Sequence, residues 1–172
     1  MATALLITRD DLVRFTAVNG NVDTDKFIQF IKIAQDIHIQ NYLGTKLLQK
    51  IQADITAGTL AGNYATLVNT FVKPMLIHWA LVEYLPFAAY TIANKGVYKH
   101  SSENSENVEK NEVDFLIEKE RQIAQHYTER FIDYIVFNNN LFPEYTNNTN
   151  GDMYPDTANN YTGWYIWEHE LR

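Results

Sequence analysis

The chain has 172 residues, no cysteine and a formal net charge of −7. This length is enough for one domain that buries roughly 70% of its unfolded surface, so neither disulfides nor a structural metal are needed for stability. The lack of cysteine excludes disulfide scaffolds, thiolate zinc sites and cysteine nucleophiles, and it suits a reducing compartment. The acidic balance, with no basic stripe, argues against a dedicated nucleic-acid-binding protein.

The first predicted element is a short helix that begins after Thr8. A threonine can cap the free N–H groups of a helix, and the carboxylates of Asp10 and Asp11 favour the positive end of its macrodipole. The polar residues 19–21 should end it. The sequence therefore predicts a helix of about two turns before the main body.

The second predicted helix runs from Asp23 to Tyr42 and has the clearest helical periodicity. One apolar face is predicted to contain Phe27, Phe30, Ile31, Ala34, Ile37 and His38. A second apolar flank is predicted to contain Ile28, Ile33 and Ile39. A helix with two apolar flanks is expected to be contacted on more than one side.

A tight corner is predicted at Gly44, where a glycine can stop one helix and Thr45 can cap the next. The next helix should end near Gly58. A further apolar helix follows Gly62, and Pro74 and Pro86 should kink or break it because each removes a backbone donor. Its apolar run is shorter than the roughly 20 residues that span a bilayer, so it is predicted to be the buried central helix.

Residues 95–112 are predicted to form a polar surface loop, which is followed by a long amphipathic helix from Glu112 to Phe137. Its buried stripe is predicted to contain Val113, Leu116 or Ile117, Ile123 or Ala124, Tyr127, Phe131, and Tyr134 or Ile135. These elements together predict an all-α bundle with a kinked central helix.

The sequence carries no recognisable catalytic or metal-binding motif. The five histidines show no metal-ligand spacing, and the serines lie in the polar loop without a nucleophile elbow. His78 and Glu83 are the most suggestive titratable pair, because burial perturbs pKa values at functional sites. Their spacing places them on different sides of the helix, so we expect a hydrogen-bonded core histidine and no enzyme, cofactor or metal.

Residues 138–172 are rich in asparagine but contain many aromatic residues, and they are predicted to form an extended docking tail after a helical domain at residues 1–137. Clustered aromatic residues are preferred anchors of protein interfaces. The predicted partner-binding residues are Tyr145, Tyr154, Tyr161, Trp164, Tyr165, Ile166 and Trp167. The alternative that this tail folds back onto its own body remains open.

Several segments resemble the small head–tail connector (adaptor or neck) proteins of tailed bacteriophages, especially those of Bacteroidetes and crAss-like phages. The segments that carry the resemblance are LLITRDDLVRFTAVNGNVDTDKF, FIKIAQDIHIQNYLGTKLLQKI, YATLVNTFVKPMLIHWALVEYLPF and TIANKGVYKH. They cover about residues 5–100. The tail after Phe137 departs from the compact members of that family.

The resemblance implies a virion structural protein that forms a ring of about twelve copies between the portal and the tail. Such a ring extends the DNA channel and docks other neck or tail proteins, with no membrane involved. An acidic wall would let DNA slide without specific binding. The helix from Asp23 to Tyr42 and the loop from Lys95 to Glu109 are further predicted contact or channel elements.

Two other interpretations fit the same sequence. One is a small helical adaptor or regulatory protein that binds a single partner through the C-terminal tail. The other is an enzyme that uses Glu83 with His78. A ring would be present in the virion and in the host cytoplasm during assembly, whereas an adaptor would form a one-to-one complex.

Overall fold

The computed structural model describes residues 4–18, 24–88, 90–93, 96–99, 110–147, 149 and 151–157. In this part the protein is an all-α bundle, as predicted, with one small hairpin. The α-helices are α1 (Arg9–Phe15), α2 (Thr24–Ala34), α3 (Gln40–Leu43), α4 (Thr45–Ala57), α5 (Gly62–Thr66), α6 (Lys73–Ala88), α7 (Lys110–Phe137) and α8 (Pro143–Thr146). Two π-helical turns, Gln35–Ile39 and Leu67–Val72, join α2 to α3 and α5 to α6, and a 3₁₀ turn spans Asn139–Leu141.

Helix α1 begins with the predicted Thr8 cap. The Thr8 hydroxyl accepts a hydrogen bond from the Asp11 N–H, and the Asp11 carboxylate accepts one from the Thr8 N–H at 2.8 Å. This reciprocal pair satisfies backbone donors that a helix start would otherwise leave free. Leu12 is the buried residue of this short helix.

The π turn at Gln35–Ile39 changes which side chains point inward. The Gln40 N–H bonds to the Gln35 carbonyl, so one extra residue enters the turn. Phe27, Phe30, Ile31 and Ala34 are buried as predicted, but the next core residue is Ile39, and Ile37 is 56% exposed. The prediction for Ile37 was wrong because it assumed a constant helical period, whereas Ile39, predicted to lie on the second flank, is buried in the core.

The central helix continues through α5, the second π turn and α6. The Lys73 N–H bonds to the Val68 carbonyl within the π turn, immediately before Pro74. A proline cannot donate to the turn that precedes it, and a π turn accommodates that loss without ending the helix. Pro86 lies close to the end of α6 at Ala88. Helices α2 and α7 both pack against α6, and its core-facing residues are Met75, Leu76, Ile77, Trp79, Ala80, Leu81 and Val82.

Helix α7 provides the long amphipathic stripe. Ala124, Phe131 and Ile135 are buried, whereas Leu116 and Ile123 are exposed. The structure therefore selects Ala124 and Ile135 from the predicted alternatives. Ile117 packs at the edge of the core in preference to Leu116.

A hairpin corrects the prediction of a featureless loop after Lys95. Strand β1 (Tyr90–Ala93) pairs with strand β2 (Gly96–Lys99) in antiparallel register, with Ala93 opposite Gly96. The sequences YTIA and GVYK are rich in β-branched and aromatic residues, which suit a pleated surface. Residues 100–109 of the predicted loop lie outside the described part of the chain.

Among residues 138–157, those that the structure describes pack against the helical body, which corrects the prediction of an extended tail starting at residue 138. Phe142 is fully buried, and the Tyr64 hydroxyl donates a hydrogen bond to Glu144 at 2.6 Å. Burial and this bond raise the pKa of Tyr64 to about 12. Two backbone bonds fix the segment to the corner after α3: Thr45 N–H to the Met153 carbonyl at 3.0 Å, and Asp156 N–H to the Asn41 carbonyl at 2.8 Å. Apolar side chains of this segment therefore join the core of the bundle, which its asparagine-rich composition did not indicate.

Candidate functional site

A histidine–carboxylate pair links the π turn after α2 to the central helix. The His38 Nε2 atom lies 2.8 Å from the Glu83 Oε1 atom. The imidazole also stacks on Trp79, with ring centroids 3.9 Å apart and planes at 10°. The Trp79 indole N–H donates to the Thr128 hydroxyl at 3.0 Å, so this network reaches α7.

A second pair links the central helix to α7. The His78 Nδ1 atom lies 2.8 Å from the Glu120 Oε2 atom, and the His78 ring stacks on Tyr127. His78 and Glu83 therefore have different partners, as their spacing on the helix predicted. Glu120 and His38 could not be recognised as the partners of His78 and Glu83 from sequence, because the paired residues are 42 and 45 positions apart.

Burial dominates the electrostatics of the first pair. It lowers the pKa of His38 below its ordinary value of 6.5, although the hydrogen bond and the charge of Glu83 oppose the shift. The imidazole is therefore neutral at neutral pH. A neutral histidine with an orienting carboxylate can accept a proton. In this bundle each pair also bridges two helices, which gives it a structural role.

A cleft of about 280 Å³ lies beside the second pair, between α1, α6 and α7. Its cationic groups are Lys73 and Arg130, and the Arg130 guanidinium lies 5.1 Å from the centre of the Phe71 ring. The lining residues are Asp11, Phe15, Asn69, Lys73, Pro74, Ile77, His78, Tyr127 and Arg130. Across the described ranges, no three histidine or carboxylate side chains are grouped so that they could hold a metal ion.

Two sets of exposed apolar side chains lie on or next to the helices that flank α6. Ile33 and Ile37, one turn apart on the α2 side, form the first, which we call the α2 face. Phe115, Leu116 and Ile123 on the outer side of α7 form the second, the α7 face. Clustered apolar side chains in contact with water are uncommon on monomers and mark interaction surfaces.

The predicted partner-binding residues fall into three groups. Tyr145 was predicted to be an interface anchor, but it is only 8% exposed and packs in the protein's own core, because α8 folds onto α4. Tyr154 is 66% exposed and remains available to a partner. Tyr161, Trp164, Tyr165, Ile166 and Trp167 lie outside the described residues.

A second cleft, which we call the C-terminal cleft, lies where the described chain ends. It has a volume of about 380 Å³ and is bounded by the end of α7, by α8 and by residues 154–157. Its lining residues are Val136, Asn139, Tyr145, Thr146, Tyr154, Pro155 and Thr157. The buried hydroxyl of Tyr145 has no hydrogen-bond partner among the described residues.

In the described part of the chain, the continuous helix Gly62–Ala88 is long and apolar enough to cross a membrane by length and composition. More than half of its most apolar window is buried inside the bundle. The core helix of a folded protein passes the same test, and the packing of α2 and α7 against α6 accounts for its apolar character.

Comparison with known proteins gives one family match. No curated protein and no solved structure matches the chain. Residues 39–155, more than half of the chain, match a family described as a family of unknown function, DUF6712. The matched region begins in the first π turn and extends through the segment that packs on Gly44. The chain belongs to the DUF6712 family.

Proposed function

We propose that this protein is a non-enzymatic structural component of a tailed-bacteriophage virion, a head–tail connector that forms a ring between the portal and the tail. Its partners are further copies of itself, in a ring of about twelve, the portal protein, and other neck or tail proteins. The ring extends the DNA channel, and DNA passes through it without specific binding. The protein resides in the virion, and in the host cytoplasm during assembly.

The observation that carries this proposal is the pair of unlike apolar surfaces. The α2 face and the α7 face belong to helices that pack separately on α6. A surface that pairs with itself produces a closed dimer, whereas two unlike surfaces that pair with each other join copies head to tail. Head-to-tail contacts close into a ring when each copy is rotated by a fixed angle relative to the last.

The charge of the chain supports the channel role. A net charge of −7 disfavours binding to the phosphates of DNA. Weak binding is what a channel through which DNA slides requires. The sequence resemblance to connector proteins covers the helix–corner–helix unit around Gly44 and the apolar central helix. The exposed Tyr154 and the aromatic residues of 161–167 are the proposed anchors for a neighbouring protein.

The decisive experiment is native mass spectrometry, with negative-stain imaging, of the full-length protein alone and with a portal protein. We expect a cyclic species of high order. Two charge substitutions test the faces: Ile37→Glu on the α2 face and Leu116→Glu on the α7 face. Each alone should stop ring closure, but an equal mixture of the two variants should form dimers, because one intact α2 face can still meet one intact α7 face.

The matched control is Gln29→Glu, which adds the same charge at an exposed position of α2 that already carries a polar side chain. It should leave assembly unchanged. All three exposed substitutions should change the free energy of unfolding by less than about 0.5 kcal/mol. A protein that stays monomeric with every partner, or that forms only a one-to-one complex, would contradict the ring and support the adaptor interpretation.

A further inference from the structure

The cleft of about 280 Å³ between α1, α6 and α7, which we call the cationic cleft, contains two positively charged side chains. Lys73 and Arg130 both line it, and neither forms an ion pair within the described part of the chain. Lys32 and Lys50, in contrast, each pair with an aspartate one turn further along the helix. Carboxylates are in excess in a chain with a net charge of −7, so two cations without one indicate a place that can accept an anion.

The acidic groups at this cleft already have partners. Of the described residues that line the cleft, Asp11 alone carries a carboxylate. Its Oδ2 atom accepts hydrogen bonds from the Thr8 N–H at 2.8 Å and from the Thr8 hydroxyl at 3.0 Å. Glu120 is likewise paired, with the His78 ring of the cleft wall, at 2.8 Å. Both carboxylates therefore stabilise the helices, and the two cations remain available to a ligand.

Two features position the polar donors of the cleft. The Arg130 guanidinium lies 5.1 Å from the centre of the Phe71 ring, and a contact with the face of a ring uses none of the five guanidinium N–H donors. The π turn Leu67–Val72 carries Asn69, which also lines the cleft, and leads directly into Lys73. Turns of this kind inside helices are frequent at functional sites. A guanidinium, an ammonium and an amide together suit the binding of a carboxylate.

The rest of the cleft wall is aromatic and aliphatic. Phe15 lines the cleft and is 59% exposed, and Pro74, Ile77 and Tyr127 complete the apolar wall. An apolar side chain beside the bound carboxylate would cover this surface. We propose that the cationic cleft binds a peptide segment of a partner protein in which an Asp or Glu side chain lies next to an aromatic or aliphatic side chain.

Charge and shape favour a peptide over other anions. A nucleic acid brings a dense row of phosphates, which a chain with a net charge of −7 repels outside the cleft. A single carboxylate gains the local attraction without that repulsion. A small free acid could reach the two cations, but it would leave the exposed Phe15 ring uncovered. Binding requires only one copy of the chain, so it does not depend on ring formation.

Methyl NMR of the full-length protein provides the direct test. Ile77 lines the cleft, whereas Ile51, fully buried in α4, does not. The probe is the peptide acetyl-Gly-Phe-Glu-Gly-amide, and its matched control carries Gln in place of Glu. We expect the Glu peptide to shift the Ile77 methyl signal saturably, to leave Ile51 unmoved, and to bind about tenfold more tightly than the Gln peptide. Equal binding of the two peptides, or an Ile77 signal that several millimolar Glu peptide does not move, would overturn the proposal.

Removal of single charges locates the binding site. Lys73→Gln and Arg130→Gln should each raise the dissociation constant of the Glu peptide about threefold to tenfold and leave that of the Gln peptide unchanged. Lys119→Gln is the matched control, because it removes an exposed charge from the same helix as Arg130 but not from the cleft. An unchanged urea midpoint shows that each variant is folded. Unchanged binding in both cleft variants, or equal weakening in Lys119→Gln, would contradict the assignment.

Further probes distinguish the source of the anion. Acetate and inorganic phosphate should shift the Ile77 signal less than the Glu peptide does at the same concentration, and a short single-stranded DNA should bind more weakly than the peptide. Tighter binding of any of these three would overturn the choice of a peptide. The connector function is tested separately: rings without peptide binding would refute only the cleft proposal, and peptide binding by a chain that forms no ring would refute only the connector.

Discussion

Replacement of Gly44 by alanine should detach the C-terminal segment from the helical body. Gly44 has φ of 73° and ψ of 156°, a backbone conformation that is essentially restricted to glycine. A Cβ atom at this position would also lie 2.8 Å from the Cδ and Cγ atoms of Pro155. Alanine therefore meets both a backbone penalty and a steric clash with residues 151–157.

The magnitude follows from these two terms. The backbone conformation costs a non-glycine residue about 1–3 kcal/mol. If Pro155 moves away, the hydrogen bonds from Thr45 to Met153 and from Asp156 to Asn41 are lost, at about 0.5–1.5 kcal/mol each. We expect Gly44→Ala to lower the free energy of unfolding by about 2–6 kcal/mol, a large share of the total for a domain of this size.

The assay is urea unfolding of Gly44→Ala beside Gly58→Ala. Gly58 also has a positive φ, of 68°, but a Cβ atom there would meet nothing within 4 Å. Its substitution should cost only about 1 kcal/mol. Thermolysin, which cuts before apolar residues, should cleave the Asp152–Met153 bond faster in Gly44→Ala and at the wild-type rate in Gly58→Ala. Equal losses of stability, with equal cleavage rates, would refute the reasoning.

Three further predictions concern the bundle. Gln35→Met should lower the free energy of unfolding by about 1–3 kcal/mol and speed amide exchange at Leu6, whose N–H donates to the buried side-chain Oε1 atom of Gln35 at 2.9 Å. Burial lowers the pKa of His38, so the unfolded chain binds a proton at this residue more readily than the folded chain does. The free energy of unfolding of the wild type should therefore fall as the pH drops below 6.5. Urea unfolding at about pH 7.5 and 5.5 should show a smaller fall in His38→Gln than in the wild type. Trp79→Phe should cost about 1–2 kcal/mol in urea unfolding because it deletes the bond to Thr128.

Each of these predictions has its own control and its own contradicting result. Gln52→Met removes only a longer 3.3 Å bond to the Ala4 carbonyl and should lower the free energy of unfolding less than Gln35→Met does. Equal losses would show that the buried bonds of Gln35 contribute no more than the bond of Gln52. Parallel pH profiles for wild type and His38→Gln would show that His38 does not set the acid sensitivity. Trp79→Phe should lose no further stability when Thr128→Val is added, and fully additive losses would show that the two side chains are not coupled.

The sequence alone determined the class of fold and the start of several helices. Local signals were sufficient for these features: the Thr8 cap, the positive-φ corner at Gly44 and the helix end at Gly58 are all present. The buried stripe of α7 also follows its helical period, although the period could not choose between Ile123 and Ala124. These features depend on residues that are close together in the chain, so they can be predicted from the sequence.

Features that depend on residues far apart in the chain become visible only in the folded structure. A π turn shifts the helical period by one position, so Ile37 faces solvent and Ile39 faces the core. The pairing of His38 with Glu83 brings together residues 45 positions apart. Residues 138–157 read as a polar tail, yet Phe142 and Tyr145 are buried because α4 and α7 present a surface that accepts them. Whether a side chain is buried depends on which residues contact it in the folded protein, and composition does not reveal those contacts.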